Sequence, residues 1–68
     1  MTTYQVSAKH VSAEYAFDRT TVRVRKDSFD GKYNANHPKL GCGKSYPTAK
    51  EAIMDIFLAN GCYQVVIH

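Results

Sequence analysis

The chain has 68 residues, 44% hydrophobic and 22% charged, with nine Lys and Arg against six acids for a formal net charge of +3. That length holds one domain near the lower limit at which an apolar core sustains a fold unaided, and it leaves little room for an enclosed substrate cleft. The basic excess is mild and falls short of a dedicated nucleic-acid binder's, and no apolar run approaches the ~20 residues of a membrane span.

Residues 1–68 are expected to form a single domain without repeats or linkers. Met1-Thr2-Thr3-Tyr4-Gln5 lacks the basic segment and apolar stretch of a secretory leader, so a cytoplasmic protein is expected. Tyr4, Val6 and Ala8 alternate with Gln5, Ser7 and Lys9, the pattern of a strand with one apolar face. Val11, Ala13, Tyr15 and Phe17 alternate in a new phase after His10, which predicts either a bulge or a turn into a second short strand, the turn being preferred. Asp18-Arg19-Thr20 then reads as a tight connection into the next one.

Along Thr21-Val22-Arg23-Val24-Arg25-Lys26 the valines should face a core while Thr21, Arg23 and Arg25 face water. Asp27–Gly31 supplies a hairpin loop in which Gly31 can take a positive φ. On the return, Tyr33 and Ala35 share one face and Lys32, Asn34 and Asn36 the other, until Pro38 ends the pairing. Thr48 with Glu51 three positions on is a capping box, Ala49, Ala52, Ile53, Ile56 and Phe57 make one apolar helix face, and Asn60-Gly61 is a left-handed stop. Tyr63-Gln64-Val65-Val66-Ile67 is β-rich, and its near-continuous apolarity predicts a central or well-covered strand. The expected fold class is therefore α+β: an antiparallel sheet of three to five strands with one helix packed on one face, a βββαβ core with an N-terminal strand.

Little in these residues carries chemistry. Gly43-Lys44-Ser45 resembles the end of a phosphate-binding loop, but that loop requires glycine where Pro38 stands, and Tyr46-Pro47 intervenes before the helix. His37, Cys42, Cys62 and His68 are too loosely spaced for a zinc clip, and no spacing sets His10, His37 or His68 beside Cys42 or Ser45 as a base. Two isolated cysteines in a reducing compartment are expected to be free thiols. No enzyme activity, metal or cofactor is expected. Arg23, Arg25 and Lys32 form a basic group on one sheet face, and Met54 and Leu58 project among Lys50, Glu51 and Asp55 as an apolar pair suited to a partner.

The run Asp30-Gly31-Lys32-Tyr33, His37-Pro38-Lys39-Leu40-Gly41-Cys42 and Pro47-Thr48-Ala49-Lys50-Glu51-Ala52-Ile53 resembles the HicB-type antitoxin domain over about half the chain. Leu40 meets Gly41 directly where that family usually has a second proline. Some twenty residues precede the hairpin, and no DNA-binding segment of the HicB kind follows. The resemblance implies a partial ribonuclease-H-like βββαβ core without catalytic acids, which binds and blocks a partner ribonuclease.

Taken together, these features predict a non-catalytic binding or inhibitor protein that docks on and blocks a nucleic-acid-processing protein, a nuclease or nucleoprotein complex. It would be antitoxin-like or a phage-encoded anti-defence inhibitor such as an anti-CRISPR. The partner-binding residues would be Arg23, Arg25, Lys32, Met54 and Leu58. The alternative is direct RNA or single-stranded DNA binding through the basic sheet face, and a third reading is a homodimer paired through an exposed edge strand.

Overall fold

The computed structural model describes residues 2–12 and 16–68. Strands β1 (Thr2–His10), β2 (Ala16–Lys26), β3 (Tyr33–His37) and β4 (Gly41–Tyr46) precede helix α1 (Ala49–Leu58), and β5 (Cys62–Ile67) follows it. The strands form one antiparallel sheet in the order β4-β3-β2-β1-β5. Strands take up 58% of the structure, which curls into a half-barrel around one short helix.

This overturns the α+β class and its βββαβ core: the protein is predominantly a curled β-sheet carrying a small helix. The cause lies between Phe17 and Thr20. Asp18-Arg19-Thr20 does not connect two strands but lies inside the eleven-residue β2. Pairing passes from Val6↔Thr20 to Ala8↔Phe17, so β2 has one residue more than β1 across this step, a β-bulge. Arg19 takes φ 51° there, and its N–H donates to Ser7 Oγ at 3.1 Å. Ala13 and Tyr15, read as part of a separate short strand, lie outside the described residues.

Two more register shifts interrupt the β1–β5 and β3–β4 ladders. Bulges increase local twist and bend a strand, so three of them give the sheet its curl. The curl lets α1 touch both edge strands, β4 and β5, as well as β3 and β2. A flat five-stranded sheet, with strands about 4.8 Å apart, would be too wide for one helix to reach both edges.

Alternation decides what fills the concave side. Val6 and Ala8 of β1, Val22 and Val24 of β2, and Ala35 and His37 of β3 are buried beneath Ala52, Ile53, Ile56 and Phe57 of α1. Phe57, Ile53, Ile56, Val6 and Val22 are the largest fully buried side chains, each contributing about 1.5–3 kcal/mol of burial. Glu51 N–H donates to Thr48 Oγ1 at 3.2 Å at the helix start, and Gly61 at φ 90° turns the chain into β5. The hairpin loop is closed by Asp27 N–H to Lys32 O and Gly31 N–H to Asp27 O, both 2.8 Å. β5 is not central: among the described residues it is an edge strand paired with β1 alone, with Val65 and Ile67 half-buried and Val66 exposed.

Candidate functional site

The convex side of the sheet is left uncovered by α1, and its side chains follow from the same alternation. Past the bulge, odd-numbered positions of β2 project there, so Thr21, Arg23 and Arg25 stand exposed in a row. Register sets Thr3 and Asn36 on either side of Arg23, and Asn34 beside Arg25. Gln5 Nε2 donates to Thr21 Oγ1 at 2.8 Å, extending the polar row onto β1. The Asn34 side-chain amide donates to the Gly43 carbonyl across the β4 bulge, which fixes the asparagine beside Arg25.

Two shallow clefts open on this face and share Arg23 and Asn36. One of about 360 Å³ is lined by Thr21, Arg23, Asn36 and Pro38. The other, about 160 Å³, is lined by Arg23, Arg25, Asn34, Asn36 and Cys42. Residues i and i+2 of a strand are about 7 Å apart, so the two guanidinium groups can each engage a separate anionic group. Their cross-strand neighbours on β3 are neutral amides. The acids nearest in sequence are occupied in the hairpin loop, where Asp27 accepts from Phe29 N–H at 2.8 Å and Asp30 from Lys32 N–H at 2.9 Å. Charge on this face is therefore not balanced by its immediate register partners.

The sequence-predicted residues divide between two surfaces. Arg23 and Arg25 are together on the convex face. Lys32 is exposed in the loop ahead of β3 and lines neither cleft. Met54 and Leu58 belong to α1, on the other side of the sheet. Met54 is half-buried in a groove of about 530 Å³ between α1 and β5, whose walls include Tyr4, Ile53, Val65 and Ile67, and Leu58 is exposed. Sequence reasoning passed over Thr21, Asn34 and Asn36 as cleft residues, although period-two alternation already set Asn34 and Asn36 opposite Ala35. It also gave no weight to Phe29, which is 96% exposed at the hairpin tip.

The nucleophile and base candidates are held apart. Cys42 is an exposed free thiol on β4 and Cys62 a buried one at the start of β5, at opposite edges of the sheet. Burial raises the Cys62 thiol above its ordinary pKa. His37 points into the core, edge-on to Phe17 with ring centroids 5.2 Å apart and close to Phe57 at 5.9 Å. Its Nδ1 accepts from the N–H groups of Lys39 (3.1 Å) and Leu40 (3.4 Å), so Nε2 carries the proton and donates to Thr20 Oγ1 at 2.7 Å. Burial, and secondarily the charge of Lys39, lowers its pKa. His10 Nε2 bonds the Asn60 carbonyl at 2.9 Å and His68 Nε2 bonds Ser7 Oγ at 2.7 Å. On the helix side, Tyr46 is hydrogen-bonded to Asp55, which, with burial and the charges of Asp55 and Glu51, raises its phenol pKa. Among the described residues no three His, Cys, Asp or Glu side chains gather as a metal site, and no helix is long and apolar enough to cross a membrane.

No family model, curated protein or solved structure matches this chain.

Proposed function

We propose that this is a non-catalytic cytoplasmic binding protein whose convex sheet face docks on an acidic surface of a nucleic-acid-processing protein and occludes it. The observation that carries the reading is the Arg23–Arg25 pair, set in register with Asn36 and Asn34 on a face that, among the described residues, no other element covers. Arginine offers a planar fork to carboxylates and phosphates alike. The adjacent asparagines add neutral donors and acceptors that tolerate a protein surface.

What favours a protein over a single-stranded nucleic acid is the composition of the face. Sequence-tolerant binding of single strands relies on aromatic rings on which bases stack. Among the described residues the arginines are interleaved with Thr, Asn and Cys instead. The resemblance of the Asp30–Ile53 region to HicB-type antitoxins points the same way, toward occlusion of a nuclease, as does the phage inhibitor reading drawn from size.

The test is affinity capture from nuclease-treated lysate of the native host, comparing the wild-type chain with Arg23→Glu/Arg25→Glu. A stoichiometric protein retained by the wild type and lost by the double variant, with circular dichroism unchanged, supports the proposal. No protein retained from the treated lysate, with nucleic acid alone captured from an untreated one, overturns it in favour of direct nucleic-acid binding.

A further inference from the structure

We infer that the free edge of β5 is a self-association surface, on which a second copy of this chain pairs antiparallel about a two-fold axis near Val65. The two edges of the sheet are not equivalent. At β4 the chain carries Gly41, Gly43 and Lys44 and a bulge in the β3–β4 ladder, features that discourage further strand addition. At β5 the sequence Cys62-Tyr63-Gln64-Val65-Val66-Ile67 contains no charge and no proline. Its ladder irregularity lies at its beginning, so Gln64–Ile67 runs in regular register along β1.

Exposed apolar side chains gather at the same edge. Of the large hydrophobic residues left open to solvent, Leu58 (49%), Tyr63 (56%) and Val66 (53%) lie on β5 or on the last turn of α1 before it. Leu58 sits one helical turn beyond Met54, which lines the groove between α1 and β5. Together with the half-buried groove walls Val65 and Ile67 these residues make the surroundings of this edge largely apolar.

The strand is also complementary to itself. A two-fold axis at Val65 sets Val65 against its own copy, Gln64 against Val66, and Tyr63 against Ile67. No like charges meet in that register, and each exposed apolar residue on the strand opposes another residue of the same edge. A two-fold contact requires this self-complementarity. The paired edges would join two half-barrels into one continuous ten-stranded sheet, with the two α1–β5 grooves meeting on the same side. The Arg23–Arg25 face is outside this interface and is duplicated by it.

Sedimentation equilibrium in reducing buffer, which keeps exposed Cys42 from linking copies, tests the inference from micromolar to several hundred micromolar chain. The wild type is expected to shift from monomer to dimer mass across that range. Val66→Lys places a charge on the edge and should raise the dimer dissociation constant at least about tenfold, with circular dichroism unchanged. Should Val66→Lys fail to fold, Gln64→Lys, at an exposed position facing Val66 of the second copy, makes the same test. Arg23→Glu/Arg25→Glu should dimerise like the wild type, so loss of the proposed docking function and loss of self-association are separately readable. A wild type that stays monomeric throughout, or a dimer indifferent to both lysine variants, overturns the inference.

Discussion

The buried imidazole of His37 makes a stability prediction whose sign and ceiling follow from its surroundings. The ring is 3% exposed, and both nitrogens are committed: Nδ1 accepts two backbone N–H groups of the β3–β4 turn and Nε2–H donates to Thr20. Protonating Nδ1 would aim a new N–H at the Lys39 and Leu40 N–H groups, beside the Lys39 charge and within an apolar core. The folded state therefore holds this histidine neutral, with its pKa below the usual 6.5. Above pH 6.5 neither state binds the proton and the full stability is present. Below it the unfolded chain takes up a proton that the folded chain refuses, so stability falls with pH until the lowered native pKa is reached.

The slope for one such proton is about 1.4 kcal/mol per pH unit. Between about pH 7.5 and pH 5 the loss from His37 is thus at most about 2 kcal/mol, a large share of the roughly 5 kcal/mol expected of a domain this small. His37→Asn isolates it. The asparagine Oδ1 can still accept from the turn, yet it does not titrate, and it gives up the ring packing against Phe17 and Phe57. We expect the variant to be about 1–3 kcal/mol less stable near pH 7.5, from lost packing and the weakened Thr20 contact. On acidification the gap to wild type should narrow, because only the wild type carries the neutral buried imidazole whose stabilisation is lost as pH falls. Urea unfolding followed by tyrosine fluorescence and far-ultraviolet circular dichroism at both pH values measures the gap. A gap that stays constant or widens at low pH would refute the assignment of His37 as a neutral core residue.

Three backbone sites give further expectations. Thr48→Ala removes the acceptor for Glu51 N–H and should cost about 1 kcal/mol, read as a lower urea midpoint at unchanged slope. Gly61→Ala should be worse than Gly31→Ala: both glycines have positive φ, but a Cβ at Gly61 would lie 2.8 Å from His10 Nε2, whereas nothing lies within 4 Å at Gly31. The Gly31 variant therefore reports backbone strain of about 1 kcal/mol, and the excess in the Gly61 variant reports displacement of His10 from Asn60. Arg19→Gly relieves a non-glycine residue at φ 51° and should leave thermal stability unchanged or raise it by up to about 1 kcal/mol in free energy; a clear loss would show that the arginine side chain holds the bulge.

Local features with local causes were legible in the sequence. The capping threonine, the apolar stripe of α1, the Asp27–Gly31 loop and the inward valines of β2 each depend on residues within a turn or two of one another, and the structure has them where the spacing set them. The bulge at Arg19 was not legible because the usual marker of a positive φ is glycine, and Asp18-Arg19-Thr20 carries only polar residues that read as a turn. β5 misled for a different reason: apolarity reports that a strand has something to cover, and says nothing of whether this chain covers it. The buried place of His37 was not legible because its partners, Thr20 and the Lys39 and Leu40 N–H groups, meet it only once β2, β3 and the following turn have assembled. Of the candidate site, the arginines were visible by alternation. Their separation from Met54 and Leu58 depends on which face the helix covers, and that is a property of the whole sheet.

That choice of face also bears on what the protein can do. The sheet bends toward α1, so the middle of its concave side is filled by Phe57, Ile53 and Ile56, and the groove between α1 and β5 lies at its margin. The arginines stand on the side that curvature opens outward, where neighbouring side chains diverge and the clefts stay shallow. An enzyme needs groups converging on an enclosed volume from which water is excluded. A docking protein needs the reverse: a projecting surface whose charges reach a partner, held rigid so that little conformational entropy is lost on binding. Bulges that bend the sheet around one ten-residue helix therefore do two things at once. They close the core of a chain with little apolar residue to spare, and they turn the Arg23–Arg25 row to face outward.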